Sequence, residues 1–168
     1  FQNISGGLLH TNIAVCALFG AVSGSSLSTA AAVGSVAYPE MTERSYDKQM
    51  VVGSLAGGGT LGLLIPPSLS LLIYGALTET SIGRLFLAGV IPGIILASMF
   101  MIYIYFRCRL NPSLAPHSKS QLKSTLIIKN IFVIWPFLIV VFAIMGSITF
   151  GIATPTEAAG VGVIATII

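Results

Sequence analysis

Two short clusters of hydroxyl-bearing and glycine residues interrupt an otherwise apolar sequence. The first, residues 22–29, reads VSGSSLST, and the second, residues 57–68, contains four glycines, one threonine and two adjacent prolines. Neither cluster contains a charged side chain. Hydroxyl oxygens and the carbonyl oxygens of an unwound backbone can replace the water shell of Na⁺ without a carboxylate. The two clusters therefore predict an ion site.

The candidate Na⁺ ligands are the residues whose hydroxyl or backbone carbonyl groups the two clusters would expose. They are Ser23, Gly24, Ser25, Ser26, Gly59, Thr60, Gly62 and Pro66. The alternative is that these small residues only allow helices to pack closely. Because two concentrated clusters occur in adjacent segments, the ion site is favoured, and Na⁺ is the one cofactor-like ion that we expect.

Two enzymatic alternatives are disfavoured. Ser23 would need a general base, and the two candidates are His10 in an apolar segment and His117 in a polar one. A single histidine in an apolar helix more often makes a structural hydrogen bond. The pattern Gly57-x-Gly59-x-x-Gly62 matches a dinucleotide-binding motif but lies in an uncharged segment without a βαβ unit. An intramembrane serine hydrolase remains a weak alternative, and we expect no enzyme.

The composition indicates an all-α integral membrane protein. Hydrophobic residues make up 55% of the 168 residues and charged residues 8%, whereas soluble domains average about 25% charged residues. The uncharged stretches are 1–39, 49–78, 85–106 and 130–156, which are too long for the alternating strands of a membrane barrel. The net charge of +3 is concentrated in one connection, so we expect no nucleic-acid partner.

The lengths of the first two uncharged stretches predict irregular elements. Two spans and a turn need more than about 40 residues, so residues 8–39 are expected to form a re-entrant helical hairpin with the first cluster at its tip. Residues 49–78 would form a helix of about 45 Å, against a hydrocarbon core of about 30 Å. The glycines and prolines at 57–68 predict that this helix is discontinuous and unwound there.

The basic residues set the predicted orientation. Five of the eight cations lie in residues 107–129, which contain no acid: Arg107, Arg109, Lys119, Lys123 and Lys129. The positive-inside rule makes this connector cytoplasmic, and its part near 119–129 is expected to lie on membrane lipid as an amphipathic helix. Residues 85–106 form the preceding span. Further along, Glu157 is either a functional carboxylate at membrane depth or the capping partner of Thr154.

Three runs of residues resemble a known family. They are ALFGAVSGSSLSTAAAVGSVAYPEM, GGGTLGLLIPPSLSLLIYGALTETSIGRLFLAGVIPG and GIATPTEAAGVGV. Together they resemble the large membrane (M) subunit of tripartite ATP-independent periplasmic (TRAP) transporters over nearly the whole chain. A second hairpin and a second broken helix, which the family has, are not present. We therefore interpret the chain as part of a longer protein.

The resemblance implies the fold of one half of an inverted-repeat, elevator-type transporter. Residues 1–106 would be half of the transport domain, residues 107–129 the cytoplasmic connector, and residues 130–168 the start of a truncated second repeat. The tip of the hairpin and the broken helix would flank one Na⁺ site. Beside it, the residues expected to contact substrate are Ser28, Thr29, Pro67 and Ser68.

The implied function is Na⁺-coupled import of a small organic acid across the bacterial cytoplasmic (inner) membrane by a multi-pass permease. The implied partners are a soluble periplasmic substrate-binding protein and a small membrane (Q) subunit. A Na⁺- or H⁺-coupled carrier without a binding protein is the alternative. The sequence leaves a sialic acid, a C4-dicarboxylate and a 2-oxo acid open as substrates.

Overall fold

The computed structural model describes residues 4–116 and 124–167, and all regular elements among them are helical. The all-α class predicted from composition is therefore confirmed. In chain order the α-helices are α1 (Leu8–Ser23), α2 (Ser26–Glu43), α3 (Lys48–Leu64), α4 (Leu69–Leu77), α5 (Ile82–Leu110), α6 (Ser124–Thr149) and α7 (Pro155–Ile167). A 3₁₀ turn, Pro112–Leu114, follows α5.

Helices α1 and α2 form a hairpin with a connection of only two residues. Gly24 ends α1 in the left-handed conformation (φ 60°, ψ 11°), which glycine adopts without the steric cost of a Cβ. Ser25 is extended and caps α2, its Oγ accepting from the Ser28 N–H at 3.4 Å. The second arm continues to Glu43, four residues beyond the end expected from the uncharged stretch. Re-entry of this hairpin into a bilayer remains a prediction.

Helices α3 and α4 form the discontinuous helix, but its break is shorter than predicted. α3 remains helical through all four glycines and ends at Leu64, and α4 starts at Leu69. The expectation that the glycines themselves unwind was wrong. Residues 65–68 form the break because Pro66 and Pro67 have no N–H to continue the helical ladder and disfavour helix in the residue before them.

The glycines of α3 instead make room for the hairpin. A Cβ atom added to Gly58 would lie 2.9 Å from Cys16 Cβ, and one added to Gly59 would lie 2.9 Å from Ala30 Cβ. The closest approach is at Gly20, where an added Cβ would be 2.6 Å from Gly62 Cα. These distances are below any normal carbon contact, so the glycines allow backbone-to-backbone packing as small residues do in membrane helices. The hairpin and α3 therefore form one packed unit.

Helix α5 covers the other side of the break. A Cβ added to Gly89 would lie 2.7 Å from the Leu64 carbonyl oxygen, and one added to Gly93 would lie 2.8 Å from Ile65 Cγ1. The predicted span 85–106 lies within α5. Within residues 4–116 and 124–167, two segments are long and apolar enough to cross a membrane, judged by length and composition: Lys48–Leu77 and Ile82–Leu110.

The connector and the last two helices are described in part. Arg107 and Arg109 lie in the last turn of α5, while residues 117–123, which include the first part of the expected amphipathic helix, lie outside the described residues. At the start of α7, the Glu157 carboxylate accepts from the Thr154 N–H and hydroxyl, both at 2.8 Å. The Glu157 N–H in turn donates to Thr154 Oγ1 at 3.4 Å, so the capping-box alternative accounts for this acid.

Candidate functional site

The tip of the hairpin lies against the break between α3 and α4. A Cβ added to Gly24 would be 2.9 Å from the Leu69 backbone nitrogen and 3.6 Å from the Pro67 carbonyl oxygen. A Cβ added to Gly62 would be 3.3 Å from the Ser25 carbonyl oxygen. The structure thus brings together the two clusters that are separated by about 30 residues in the sequence.

A compact hydrogen-bond network holds the tip in shape. The Thr29 side chain is fully buried, and its hydroxyl donates to the Ser25 carbonyl at 2.7 Å. The hydroxyls of Ser23 and Thr29 lie 2.7 Å apart, and Ser23 Oγ also reaches the Ser25 carbonyl at 3.2 Å. Because three groups converge on one carbonyl, including the Thr29 N–H at 3.0 Å, this network fixes the backbone of the tip.

The two prolines determine which carbonyls of α3 are left open. In a continuous helix the Gly62 and Leu63 carbonyls would accept from the N–H groups of residues 66 and 67, but both are prolines. The Ser68 hydroxyl replaces one of these donors, binding the Leu63 carbonyl at 2.7 Å. The Gly62 carbonyl accepts no hydrogen bond from the described residues. It is therefore an oxygen available to a cation.

The ends of four helices meet around this point. The carboxyl-terminal ends of α1 and α3 lie side by side at the contact of Gly20 with Gly62, and α2 and α4 both begin next to Gly24. Each helix end carries about half an elementary charge, negative at the carboxyl terminus and positive at the amino terminus. The arrangement can therefore bind a cation beside an anion, although no charged side chain lies in residues 22–29 or 57–68.

The structure brings some of the predicted ligands to the tip and leaves others away from it. Ser26 and Gly59 lie at the same helix contact, since a Cβ on Gly59 would be 3.0 Å from the Ser26 carbonyl oxygen. Pro66 is buried beside α5. Thr60 is exposed on α3 and its hydroxyl donates to the Gly57 carbonyl of its own helix at 2.7 Å, so it is not brought to the tip.

The predicted substrate residues also differ in accessibility. Ser28 is exposed on the first turn of α2, and Pro67 is half-buried in the break. Thr29 and Ser68 are buried, and their hydroxyls are already engaged within the tip and the break. In this conformation the accessible part of the candidate substrate surface is therefore formed by Ser28 and Pro67.

The geometry separates Ser23 from the histidine considered as its base. His10 and Ser23 lie at opposite ends of α1, about 20 Å apart at 1.5 Å per residue. His10 Nε2 lies 3.0 Å from the Ser5 carbonyl oxygen. His10 therefore cannot take a proton from Ser23, and His117 lies outside the described residues.

One residue beside the site and one farther along α1 were not singled out from the sequence. Gly20 makes the closest backbone contact with α3, and its spacing of four from Gly24 was the available signal. Asn12 is 5% exposed, and its amide donates to Ser54 Oγ at 3.0 Å and to Met41 Sδ at 3.2 Å. An amide within an apolar segment is the signal that would have identified it. It links α1 to both α2 and α3.

Replacing Asn12 tests whether this link supports the packed unit. Asn12→Ala leaves Ser54 and Met41 without their donor, so we expect a loss of about 1–3 kcal/mol in stability. The measurement is the thermal unfolding midpoint of the full permease in detergent. Ser35→Ala is the control, because Ser35 is exposed and bonds only the Ala32 carbonyl of its own helix. Equal midpoints for both variants would show that Asn12 does not hold the helices together.

The family model and the individual relatives that match this chain agree on one family. The family model described as "Tripartite ATP-independent periplasmic transporter, DctM component" matches residues 3–168. The chain is 41% identical over 162 residues to the C4-dicarboxylate TRAP transporter large permease protein DctM of Pseudomonas aeruginosa, covering 96% of this chain and 37% of that protein.

Two further relatives have different named substrates. The ectoine TRAP transporter large permease protein TeaC of Halomonas elongata is 40% identical over 159 residues, covering 94% of this chain and 36% of that protein. The sialic acid TRAP transporter large permease protein SiaM of Vibrio cholerae is 36% identical over 159 residues, covering 95% of this chain and 36% of that protein. The chain thus spans little more than a third of these relatives. The matches confirm the resemblance found in the sequence motifs: the chain belongs to the DctM component family of tripartite ATP-independent periplasmic transporters.

Proposed function

We propose that this chain forms part of a permease that imports a small organic anion together with Na⁺ across the bacterial cytoplasmic membrane. The observation that carries the proposal is the meeting of two helix carboxyl termini and two helix amino termini at the contact between Gly24 and Leu69. Carboxyl-terminal ends and open carbonyls suit a cation, and amino-terminal ends suit an anionic group.

In the proposed mechanism, Na⁺ binds first to backbone oxygens at the ends of α1 and α3, including the open carbonyl of Gly62. The bound ion stabilises the position of the tip against the break, which completes the surface beside Ser28 and Pro67 on which the substrate binds. Substrate and Na⁺ then raise each other's affinity by the same factor, because coupling between two binding sites is reciprocal.

The remaining parts of the proposal rest on family membership. A periplasmic binding protein would deliver the substrate and a small membrane (Q) subunit would stabilise the permease. Re-entry of the hairpin and an elevator movement would expose the site to each side in turn. The named relatives carry C4-dicarboxylates, ectoine and sialic acid. A further relative is named for isethionate, a sulfonate, so the common feature is an anionic oxygen group, which we propose as the group recognised here.

Bulky residues at the tip test the ion site. Ser25→Leu and Ser26→Leu are expected to abolish Na⁺-dependent uptake by the complete transporter in proteoliposomes while leaving its assembly intact. The reason is that Ser25 Oγ caps α2 and the Ser26 backbone carbonyl lies at the contact with Gly59, so a bulky side chain at either position disturbs the local backbone of the tip.

The matched control is Ser35→Leu, which places the same side chain on an exposed position of α2, remote from the tip. It is expected to transport normally. Unchanged uptake by both tip variants would rule out this ion site. Equal uptake by the wild-type transporter in Na⁺ and in K⁺ would favour a carrier coupled to another ion.

A further inference from the structure

A cavity lies between α3 and α5, away from the hairpin tip. Its volume is about 460 Å³, within the roughly 300–1,000 Å³ of small-ligand sites. Its apolar lining residues include Met50, Phe100 and Ile104. The polar lining residues are Asp47, Gln49, Tyr103 and Arg107, together with Ser54. Asp47 caps the start of α3 and Arg107 lies in the last turn of α5, so most of the polar groups share one end.

That end is the one that the basic residues predict to be cytoplasmic. Tyr103 on its rim is 60% exposed, as is usual for tyrosine at the level of lipid headgroups. The cavity therefore has the polarity of a phospholipid in the inner leaflet, with a polar mouth at headgroup depth and an apolar interior.

The charges at the mouth are of both signs. The Arg107 guanidinium makes no hydrogen bond or ion pair with the described residues. Asp47 uses Oδ1 to accept from the Met50 N–H at 2.9 Å, while its Oδ2 has no partner among the described residues. A headgroup that presents a phosphate to Arg107 and an ammonium to Asp47 would satisfy both groups.

We propose that this cavity binds a zwitterionic aminophospholipid, with its phosphate at Arg107, its ammonium at Asp47 and an acyl chain between α3 and α5. The inference uses only the membrane location in the proposed function and does not depend on Na⁺ coupling. An anionic lipid fits less well, because it would bring its charge close to the Asp47 carboxylate.

The chain offers a side chain that can fill the cavity without disturbing the packing. Gly53 lines the cavity, and a Cβ added to it would meet no atom within 4 Å. Gly53→Leu therefore occupies the site of the acyl chain and also raises helix propensity. Asp47→Asn removes the charge but keeps a good helix cap.

The experiment measures lipid retention by the full permease in native mass spectrometry after addition of dioleoyl-phosphatidylethanolamine or dioleoyl-phosphatidylglycerol. The wild-type protein is expected to retain the first in preference to the second. Arg107→Gln should weaken retention roughly fivefold, the effect of one cation near a lipid surface. Asp47→Asn should lower the preference for the aminophospholipid by roughly two- to fivefold, and Gly53→Leu should remove the bound lipid.

Arg109→Gln is the matched control. It removes the same charge two residues away, from a side chain that donates to Tyr105 and does not line the cavity. Equal losses for the two arginine variants, a preference for phosphatidylglycerol, or full retention by Gly53→Leu would each overturn the proposal. Failure of Gly53→Leu to fold would also overturn it, since it would show that another part of the permease occupies the cavity.

Na⁺-dependent uptake is measured in the same preparations. A cavity variant that loses lipid retention but keeps Na⁺-dependent uptake separates this site from the transport site. If uptake by the wild-type protein does not depend on Na⁺, only the proposed function is contradicted.

Discussion

Gly20→Val is expected to prevent the hairpin from packing on α3 and so to leave little folded permease. A Cβ at residue 20 would lie 2.6 Å from the Gly62 Cα and 2.9 Å from its nitrogen. Both are backbone atoms that cannot rotate away, and valine adds two more methyl groups. Overpacking commonly costs about 1–3 kcal/mol, and here two backbones would have to separate. The measurement is the yield of monodisperse protein and its thermal unfolding midpoint in detergent.

Gly53→Val is the control for this experiment. It puts the same β-branched residue into α3, at a position where an added Cβ meets nothing within 4 Å. Its midpoint is expected to remain near that of the wild-type protein. If Gly20→Val folds as well as Gly53→Val, then the hairpin does not pack on α3 through the glycine contact.

Thr29→Val is expected to weaken Na⁺ binding during transport without preventing folding. The substitution nearly keeps the shape of the side chain but removes the hydroxyl that donates to the Ser25 carbonyl at 2.7 Å and meets Ser23 Oγ at 2.7 Å. The Ser25 carbonyl then loses one of the three donors that fix the backbone of the tip. We expect the Na⁺ concentration for half-maximal uptake to rise about tenfold or more, equivalent to about 1.4 kcal/mol of binding energy.

Thr29→Ser is the matched variant, because it restores the hydroxyl and removes only a methyl group. It is expected to keep Na⁺ dependence close to that of the wild-type protein. A normal Na⁺ requirement in Thr29→Val would mean that the hydrogen-bond network at the tip has no part in ion binding. Equal defects in both variants would assign the effect to packing instead of the hydroxyl.

The two interruptions could be predicted from the sequence because their causes are local. Gly24 with the adjacent serines is a strong signal for a tight connection between helices, and the Pro66–Pro67 pair removes two consecutive backbone donors. The length of the uncharged stretch then made a hairpin the natural interpretation. The structure places these features at residues 24–25 and 65–68.

The role of the α3 glycines could not be obtained in the same way. Intrinsic propensity disfavours glycine within a helix by about 1 kcal/mol, so a run of glycines beside two prolines indicated unwinding. Tertiary contacts reverse that expectation, because Gly58 and Gly59 receive the hairpin at 2.9 Å from where a Cβ would lie, and Gly62 at 3.1 Å, which leaves little or no room for a side chain. Such a pairing of distant segments is visible only in the folded chain.

For a related reason, the sequence could not show which of the candidate ligands lie at the tip. Composition alone treated every hydroxyl in the clusters as an available oxygen, and so included Thr60. The helical register of α3 turns Thr60 outward, while the absence of donors at the prolines leaves open the carbonyl of Gly62, which the sequence had also indicated. Once the break is located, the helical register of α3 and the missing proline donors distinguish Thr60, which faces outward, from Gly62, whose carbonyl is left open.

Na⁺ binding where the hairpin tip meets the α3–α4 break can be measured without transport. The thermal unfolding midpoint of the purified full permease is titrated with NaCl or KCl at constant ionic strength. We expect a saturable rise of the midpoint in Na⁺ alone, since an ion at about 100 times its dissociation constant stabilises the folded state by about 2.7 kcal/mol. This rise should be absent in Ser25→Leu. The same rise in both salts, or an unchanged rise in Ser25→Leu, would contradict Na⁺ binding at this place.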